Sequence, residues 1–283
     1  MTDRTAIRAI VSGVRAGNAY DLALALLRIL VGFILWQHGA QKLFGMFGGA
    51  PTATFTMPWF TGGAEFLGGI AVAVGFLTRP FAVILAIDMA VFYVRVFLPD
   101  GFPPIVNRPG EVACLLFSTA TLLAFTGPGK WSVDATARTL AHRVGSRAML
   151  VDWRKHAPAA LSVIRVLMGF LFFEYGLQKM FGMVGETAEP FLTRQWFAGV
   201  IELFGGAAII LGLFTRPIAF LCCGEMAFAY FINHNPRGFF PLQNGGERAV
   251  LFCYFFLFLV AAGPGKWSMD RLLWTTSRGD RTG

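Results

Sequence analysis

The sequence predicts an all-α membrane protein with eight transmembrane helices, arranged as two parallel four-helix bundle repeats. Three observations predict it. Only 14% of the 283 residues are charged, against the ~25% that covers the surface of a soluble domain. Hydrophobic residues make up 55% and the mean hydropathy is +0.60. Finally, the second half of the chain repeats the first.

The repeat is read directly. Arg28-Ile-Leu-Val-Gly-Phe returns as Arg165-Val-Leu-Met-Gly-Phe, and Gly39-Ala-Gln-Lys-Leu-Phe-Gly-Met as Gly176-Leu-Gln-Lys-Met-Phe-Gly-Met. The same step carries Trp59 to Trp196, Glu65 to Glu202, Gly68-Gly69 to Gly205-Gly206, and Thr78-Arg79-Pro80 to Thr215-Arg216-Pro217. It also carries Asp88 to Glu225, Tyr93 to Tyr230 and Asn107 to Asn244. After a one-residue deletion, Glu111 meets Glu247, and Gly127-Pro-Gly-Lys-Trp-Ser meets Gly263-Pro-Gly-Lys-Trp-Ser. Self-similarity at a fixed long step marks tandem structural units, here a duplicated and fused gene.

Each copy holds four apolar segments. In the first they fall at 22–44, 55–77, 81–98 and 112–125, and in the second at 161–181, 196–214, 218–233 and 249–262. About 20 apolar helical residues cross the hydrocarbon core, so the fourth of each set is short. Gly and Pro at Thr78-Arg79-Pro80 and Gly127-Pro128-Gly129 mark helix ends. The chain thus divides into an N-terminal cytoplasmic tail (1–18), a first repeat (19–134), a basic cytoplasmic linker (135–156), a second repeat (157–270) and a C-terminal tail (271–283). No apolar stretch of a secretory signal is read in the first twenty residues.

Four helices per copy make both copies point the same way and place both termini beside the linker. Fifteen Lys and Arg fall on that side and seven on the other. The positive-inside rule then sets both termini in the cytoplasm of a multi-pass inner-membrane protein. Trp131 and Trp267 suit the inner interfacial belt, and Trp59 and Trp196 the outer one. The net charge of +8 is read as topological, so the bilayer is the expected partner and nucleic acid is not.

Charges inside the bilayer are costly and seek partners. Here they recur in pairs: Arg28/Arg165, Glu65/Glu202 and Asp88/Glu225. Arg–carboxylate pairing within each copy would neutralise much of this charge, leaving one surplus acid per copy as a neutral group or proton carrier. On helix one, Arg28, Gly32, Leu35, Gly39 and Lys42 share a face, where glycines admit another helix or a flat ligand. Packing is the first reading of Gly68-Gly69. Toward the outer side, His38, Gln41, Lys42, Trp59, Tyr93, Asn107 and Glu111 are expected to converge on one pocket. Tyr175, Gln178, Lys179, Trp196, Tyr230, Asn244 and Glu247 are expected to do so in copy two. Gln37-His38 is replaced by Glu174-Tyr175, so the copies have diverged. Read alone, His38 is a hydrogen-bonded core residue before it is a reactive one.

Some chemistry is missing. No Walker loop, GxGxxG, HExxH or G-x-S-x-G stands in a fitting context. Cys114, Cys222, Cys223 and Cys253 lie in apolar segments without metal spacing, so they read as small buried residues. A thiol redox role for the adjacent Cys222–Cys223 is the alternative. No metal, haem or nucleotide site is indicated, and no bound redox centre is visible.

With Gly39-Ala-Gln-Lys-Leu-Phe-Gly, Gly68-Gly69, Leu77-Thr78-Arg79-Pro80 and Gly127-Pro128-Gly129-Lys130-Trp131-Ser132-Val133-Asp134, and the same set in copy two, the chain resembles the DoxX family of four-helix membrane proteins. That family is similar to, and named with, the membrane subunits of thiosulfate:quinone oxidoreductase. The resemblance implies quinone-linked electron transfer as an expectation, since fold alone does not fix function.

Two function classes follow. The first is a membrane redox component that passes electrons from a small reductant or a partner redox subunit to quinone. There Glu65, His38 and Glu202 are the candidate proton-handling groups, and Lys42, Trp59, Lys179 and Trp196 line the quinone slot. The second is a non-enzymatic carrier or scaffold for small molecules, lipids or partner proteins. Whether the chain is an enzyme stays open at this level.

Overall fold

The computed structural model describes residues 3–101, 104, 108–143, 153–183 and 187–273. Copy one contributes α1 (Asp3–Phe44), α2 (Met57–Val74), α3 (Thr78–Phe92) and α4 (Arg108–Thr126). In copy two α6 (Ala157–Phe181), α7 (Arg194–Leu211), α8 (Thr215–Ala229) and α10 (Glu247–Ala262) take the same places. Between the copies runs α5 (Val133–Arg143), and a one-turn α9 (Pro241–Asn244) precedes α10. The third helix of each copy ends in a π-helical turn, Tyr93–Phe97 and Tyr230–His234. The predicted segments are thus helices. The N-terminal tail differs from expectation, because α1 continues through it.

Helix ends follow from the repeated motifs. Gly75 closes α2 at φ 77°, its N–H and that of Phe76 returning to the carbonyls of Ala71 and Val72, the bonds of a left-handed C-cap. Two residues later Asp134 accepts from the N–H groups of Leu77 (2.8 Å) and Thr78 (3.0 Å). Asp270 does the same for Phe214 (2.7 Å) and Thr215 (2.9 Å). A carboxylate there satisfies first-turn donors and faces the positive helix end. These bonds also hold Leu77 and Phe214 at positive φ, 44° and 46°.

Within each copy the first two helices touch backbone to backbone. A Cβ on Gly32 would lie 2.5 Å from the carbonyl oxygen of Gly69, and one on Gly69 2.5 Å from the amide nitrogen of Trp36. The glycine face therefore seats a helix, not a ligand. Between copies, α1 packs on α10 and α4 packs on α6. These four helices form the centre, with buried Leu27, Ile34, Leu115, Leu171, Phe172, Phe255 and Phe256. Phe172 meets Phe252 and Phe256 at ring-centroid distances of 5.3 and 4.8 Å. The α2–α3 and α7–α8 pairs flank that centre.

The outer surface is apolar instead of polar. Leu67, Ile87, Phe204, Phe220 and Phe228 are all exposed. Such a surface has no place in water and suits lipid. Four segments, Gly17–Phe44, Thr78–Phe97, Trp153–Phe181 and Arg194–Leu211, are long and apolar enough to cross a membrane, and Gly110–Thr126 is a shorter apolar helix.

Candidate functional site

Among the described residues, the two intramembrane arginines do not pair with carboxylates. Arg28, 2% exposed, donates to the carbonyls of Pro128 and Trp131, the latter at 2.7 Å. Arg165 donates to Pro264 (2.7 Å), Trp267 (2.8 Å) and Ile210 (3.3 Å). Each guanidinium fork thus pins the loop that follows the fourth helix of its own copy. This corrects the expected ion-paired core. A turn that exposes successive carbonyls satisfies a rigid planar donor as well as an acid does.

The lysines take the acids instead. Lys42 Nζ lies 2.6 Å from Glu65 Oε1, and Lys179 Nζ 2.5 Å from Glu202 Oε1. Both glutamates are 1% exposed, and among the described residues the Oε2 of each has no hydrogen-bond partner. Lys42 also sits 5.2 Å from the Phe92 ring centroid, and Lys179 5.9 Å from that of Tyr175. Four of the predicted site residues, Lys42 with Glu65 and Lys179 with Glu202, are therefore brought together, one pair per copy.

The acids that open the fourth helices cross between copies. His38 Nε2 is 2.7 Å from Glu247 Oε1, so the copy-one histidine meets the copy-two acid. Tyr175, which replaces it in copy two, donates to Glu111 Oε2 of copy one at 2.5 Å. Arg248 joins this second contact, 2.7 Å from the Tyr175 hydroxyl and 3.4 Å from Glu111 Oε2. Val112 holds the equivalent place in copy one. The expected single-copy pocket is thus rearranged, with Glu111 and Glu247 each serving the opposite copy. Asn107 lies outside the described residues. Asn244 turns inward to Tyr230 (3.2 Å) and to the carbonyl of Gly238 (2.7 Å).

In copy two these groups border a cavity of about 880 Å³ between α6, α7, α8 and α10. Lys179, Glu202, Glu225, Tyr175 and Arg248 supply its polar wall. Phe197, Phe220 and Phe228, also lining it, are 51%, 70% and 54% exposed and mark its lip on the lipid-facing surface. Gly224 lies on that lip, and a side chain there would meet nothing within 4 Å. Trp196 does not line the cavity. It packs on Phe191 (4.8 Å) and Phe197 (5.2 Å) beside the lip, as Trp59 packs on Phe55 and Phe60 in copy one. His38 is likewise not among the lining residues.

Sequence reasoning missed Arg194 and Arg248 as site residues, counting them only toward topology. The signal was there: the repeat places Met57 and Val112 at their positions, so each is a charge added to one copy alone. Among the described residues, no group of three or more His, Cys, Asp or Glu could hold a metal ion.

The two copies, each with its Lys–Glu pair, also match a known family in sequence. Its profile, DoxX, matches residues 23–97 and again 160–235. The chain belongs to the DoxX family. An uncharacterised protein of Haemophilus influenzae is 39% identical over 126 residues, which cover 41% of this chain and 92% of the relative. An uncharacterised membrane protein of Mycobacterium tuberculosis is 27% identical over 136 residues, 41% of this chain and 82% of its own. The inner membrane protein YqjF of Escherichia coli is 28% identical over 133 residues, 42% and 96% respectively. No solved structure matches. Each relative is almost wholly matched by about two-fifths of this DoxX chain, so it corresponds to one copy where this chain has two.

Proposed function

We propose that this DoxX protein is a quinone-linked membrane redox component that receives a quinone head group in the copy-two cavity. The observation that carries the reading is a polar wall reached from the lipid surface. Lys179, Glu202 and Glu225 lie inside, while Phe197, Phe220 and Phe228 form the lip. A lipid-soluble molecule with a polar head fits such a site, because its tail stays among exposed phenylalanines while its head leaves the hydrocarbon. A bound quinone supplies two-electron, two-proton chemistry. The chain's own part is to hold the head group and exchange protons with it. Lys179 and the Arg248–Tyr175 pair offer donors to an oxygen, and Glu202 and Glu225 are the acids that carry protons. A small reductant or a partner redox subunit is the donor on this reading. Copy one, with Lys42, Glu65 and Asp88, lacks the two arginines and serves packing.

The test is titration of ubiquinone and menaquinone analogues into the protein in nanodiscs, read by quenching of its tryptophans. Glu202→Gln is expected to weaken binding about tenfold, the scale of one lost charge-assisted contact. The same binding with Glu202→Gln and Lys179→Met as with wild type sinks the site. Arg194 and Arg248 beside Lys179 favour a second reading, a carrier for an anionic amphiphile. A carrier moves labelled substrate across liposomes without any electron acceptor, and a redox component does not. We further read the chain as eight spans in an inner membrane with both termini cytoplasmic.

A further inference from the structure

Two thiols meet in the seam between α8 and α10. Cys223 and Cys253, thirty residues apart in sequence, have their Sγ atoms 3.7 Å apart, and both are free and part-buried. That is too long for a bond and is a direct contact between the two sulfurs, so closure to the ~2.05 Å of a disulfide requires an approach of less than 2 Å from the observed 3.7 Å. The pairing is a feature of copy two alone. The repeat puts Ala86 and Phe117 at these positions in copy one, where α3 packs on α4 as α8 packs on α10. Packing therefore does not demand cysteine here. A thiol–thiol contact is a weak hydrogen bond that adds little to a seam already filled by apolar side chains. The other cysteines are placed differently. Cys222 is fully buried against the glycine face of α7, where a Cβ on Gly205 would lie 2.8 Å from its sulfur. Cys114 is on α4.

The pair also lies beside the cavity. Leu221, Gly224 and Glu225 of α8, and Ala249 and Phe252 of α10, line it, so each cysteine is a chain neighbour of a lining residue. We propose that Cys223 and Cys253 are a redox-active dithiol that closes into a disulfide joining α8 to α10, with a bilayer quinone as the two-electron acceptor. The proposal rests on the quinone reading for its acceptor. In the step both S–H bonds break and one S–S bond forms. The two electrons and two protons released convert one quinone to one hydroquinone, so atoms and charge balance. The dithiol is thereby the redox centre that the sequence alone does not show, and a donor to the protein acts by reducing the disulfide again.

The test uses the full-length protein in nanodiscs, reduced and kept anaerobic. Decylubiquinone is added, free thiols are tagged with a maleimide after denaturation, and hydroquinone is measured. Wild type is expected to lose two of its four reactive thiols, to form about one hydroquinone per chain by the stoichiometry above, and to yield a peptide cross-linked between Cys223 and Cys253. Dithiothreitol restores all four. Cys223→Ser and Cys253→Ser are each expected to lose none and form no hydroquinone, while still binding quinone in the cavity. If wild type binds decylubiquinone through Glu202 yet keeps four free thiols, the dithiol proposal is overturned and the quinone reading survives. If the thiols close with decylubiquinone but binding ignores Glu202 and Lys179, the dithiol stands and the cavity assignment falls.

Discussion

Arg28 and Arg165 are buried, and each uses its fork to bind backbone carbonyls of the Gly-Pro-Gly-Lys-Trp-Ser loop. Room for that side chain comes from glycine. A Cβ on Gly212 would overlap the Arg165 guanidinium. Hydrogen bonds to a charged group contribute about 1.5–3 kcal/mol each, and the carbonyls left behind in a truncation would lack donors. Arg165→Ala is therefore expected to destabilise the protein by roughly 3 kcal/mol, seen as a fall in thermal midpoint in detergent. Arg165→Lys recovers only part of it, because one ammonium cannot reproduce the fork. An unchanged midpoint for the alanine variant would show that the loop holds itself. The sequence marked both arginines as intramembrane charges but misassigned their partners. Carbonyls carry no residue letter, so a reader who pairs charges sees only the acids.

At the scale of elements, the glycines separate two roles that look alike in sequence. Gly39 packs where a Cβ would strike the backbone of Phe66, whereas a Cβ on Gly63 of α2 would meet nothing within 4 Å. Overpacking a close helix contact costs about 1–3 kcal/mol. Gly39→Ala is expected to lower the thermal midpoint and Gly63→Ala to leave it unmoved, since backbone cannot retreat as a flexible side chain can. An equal fall in both would mean that the close α1–α2 contact does not set the cost, because helix propensity alone favours alanine over glycine. Helix positions were legible because the repeat fixed their phase twice over, and capping by Asp134 and Asp270 explains why the Thr-Arg-Pro and Gly-Pro-Gly-Lys-Trp-Ser motifs travel together. The exchange of Glu111 and Glu247 between copies was not legible. Residue spacing orders the groups along one helix, but it does not say which copy's helix lies opposite. For the same reason the lip of the cavity, built from ordinary phenylalanines among the chain's 30, had no distinguishing letter.

For the whole molecule, the contacts fix relative direction. Arg28 of α1 reaches the loop that follows α4, and His38, ten residues further along the same helix, reaches the start of α10. In the same way α6 reaches the end of α10 through Arg165 and the start of α4 through Tyr175. Hence α1 and α6 run parallel, both antiparallel to α4 and α10, and the copies are related by a two-fold axis along the helix bundle. The end with the pinned loops carries Lys130, Arg138, Arg154 and Lys266, and the end with the cavity wall carries Lys42, Lys179 and Arg248, which have acid partners, with Arg194 and Arg237 beside Asn233 and His234; the count over the sequence is fifteen basic residues against seven. Since basic residues near helix ends are retained in the cytoplasm, the pinned-loop end is expected to be cytoplasmic and the Lys–Glu layer to lie toward the opposite leaflet. Fusing green fluorescent protein or alkaline phosphatase to the C-terminus discriminates. A fluorescent first fusion with an inactive second places that end inside. The reverse pattern would turn the molecule over and require any donor of electrons to approach the cavity from the cytoplasm.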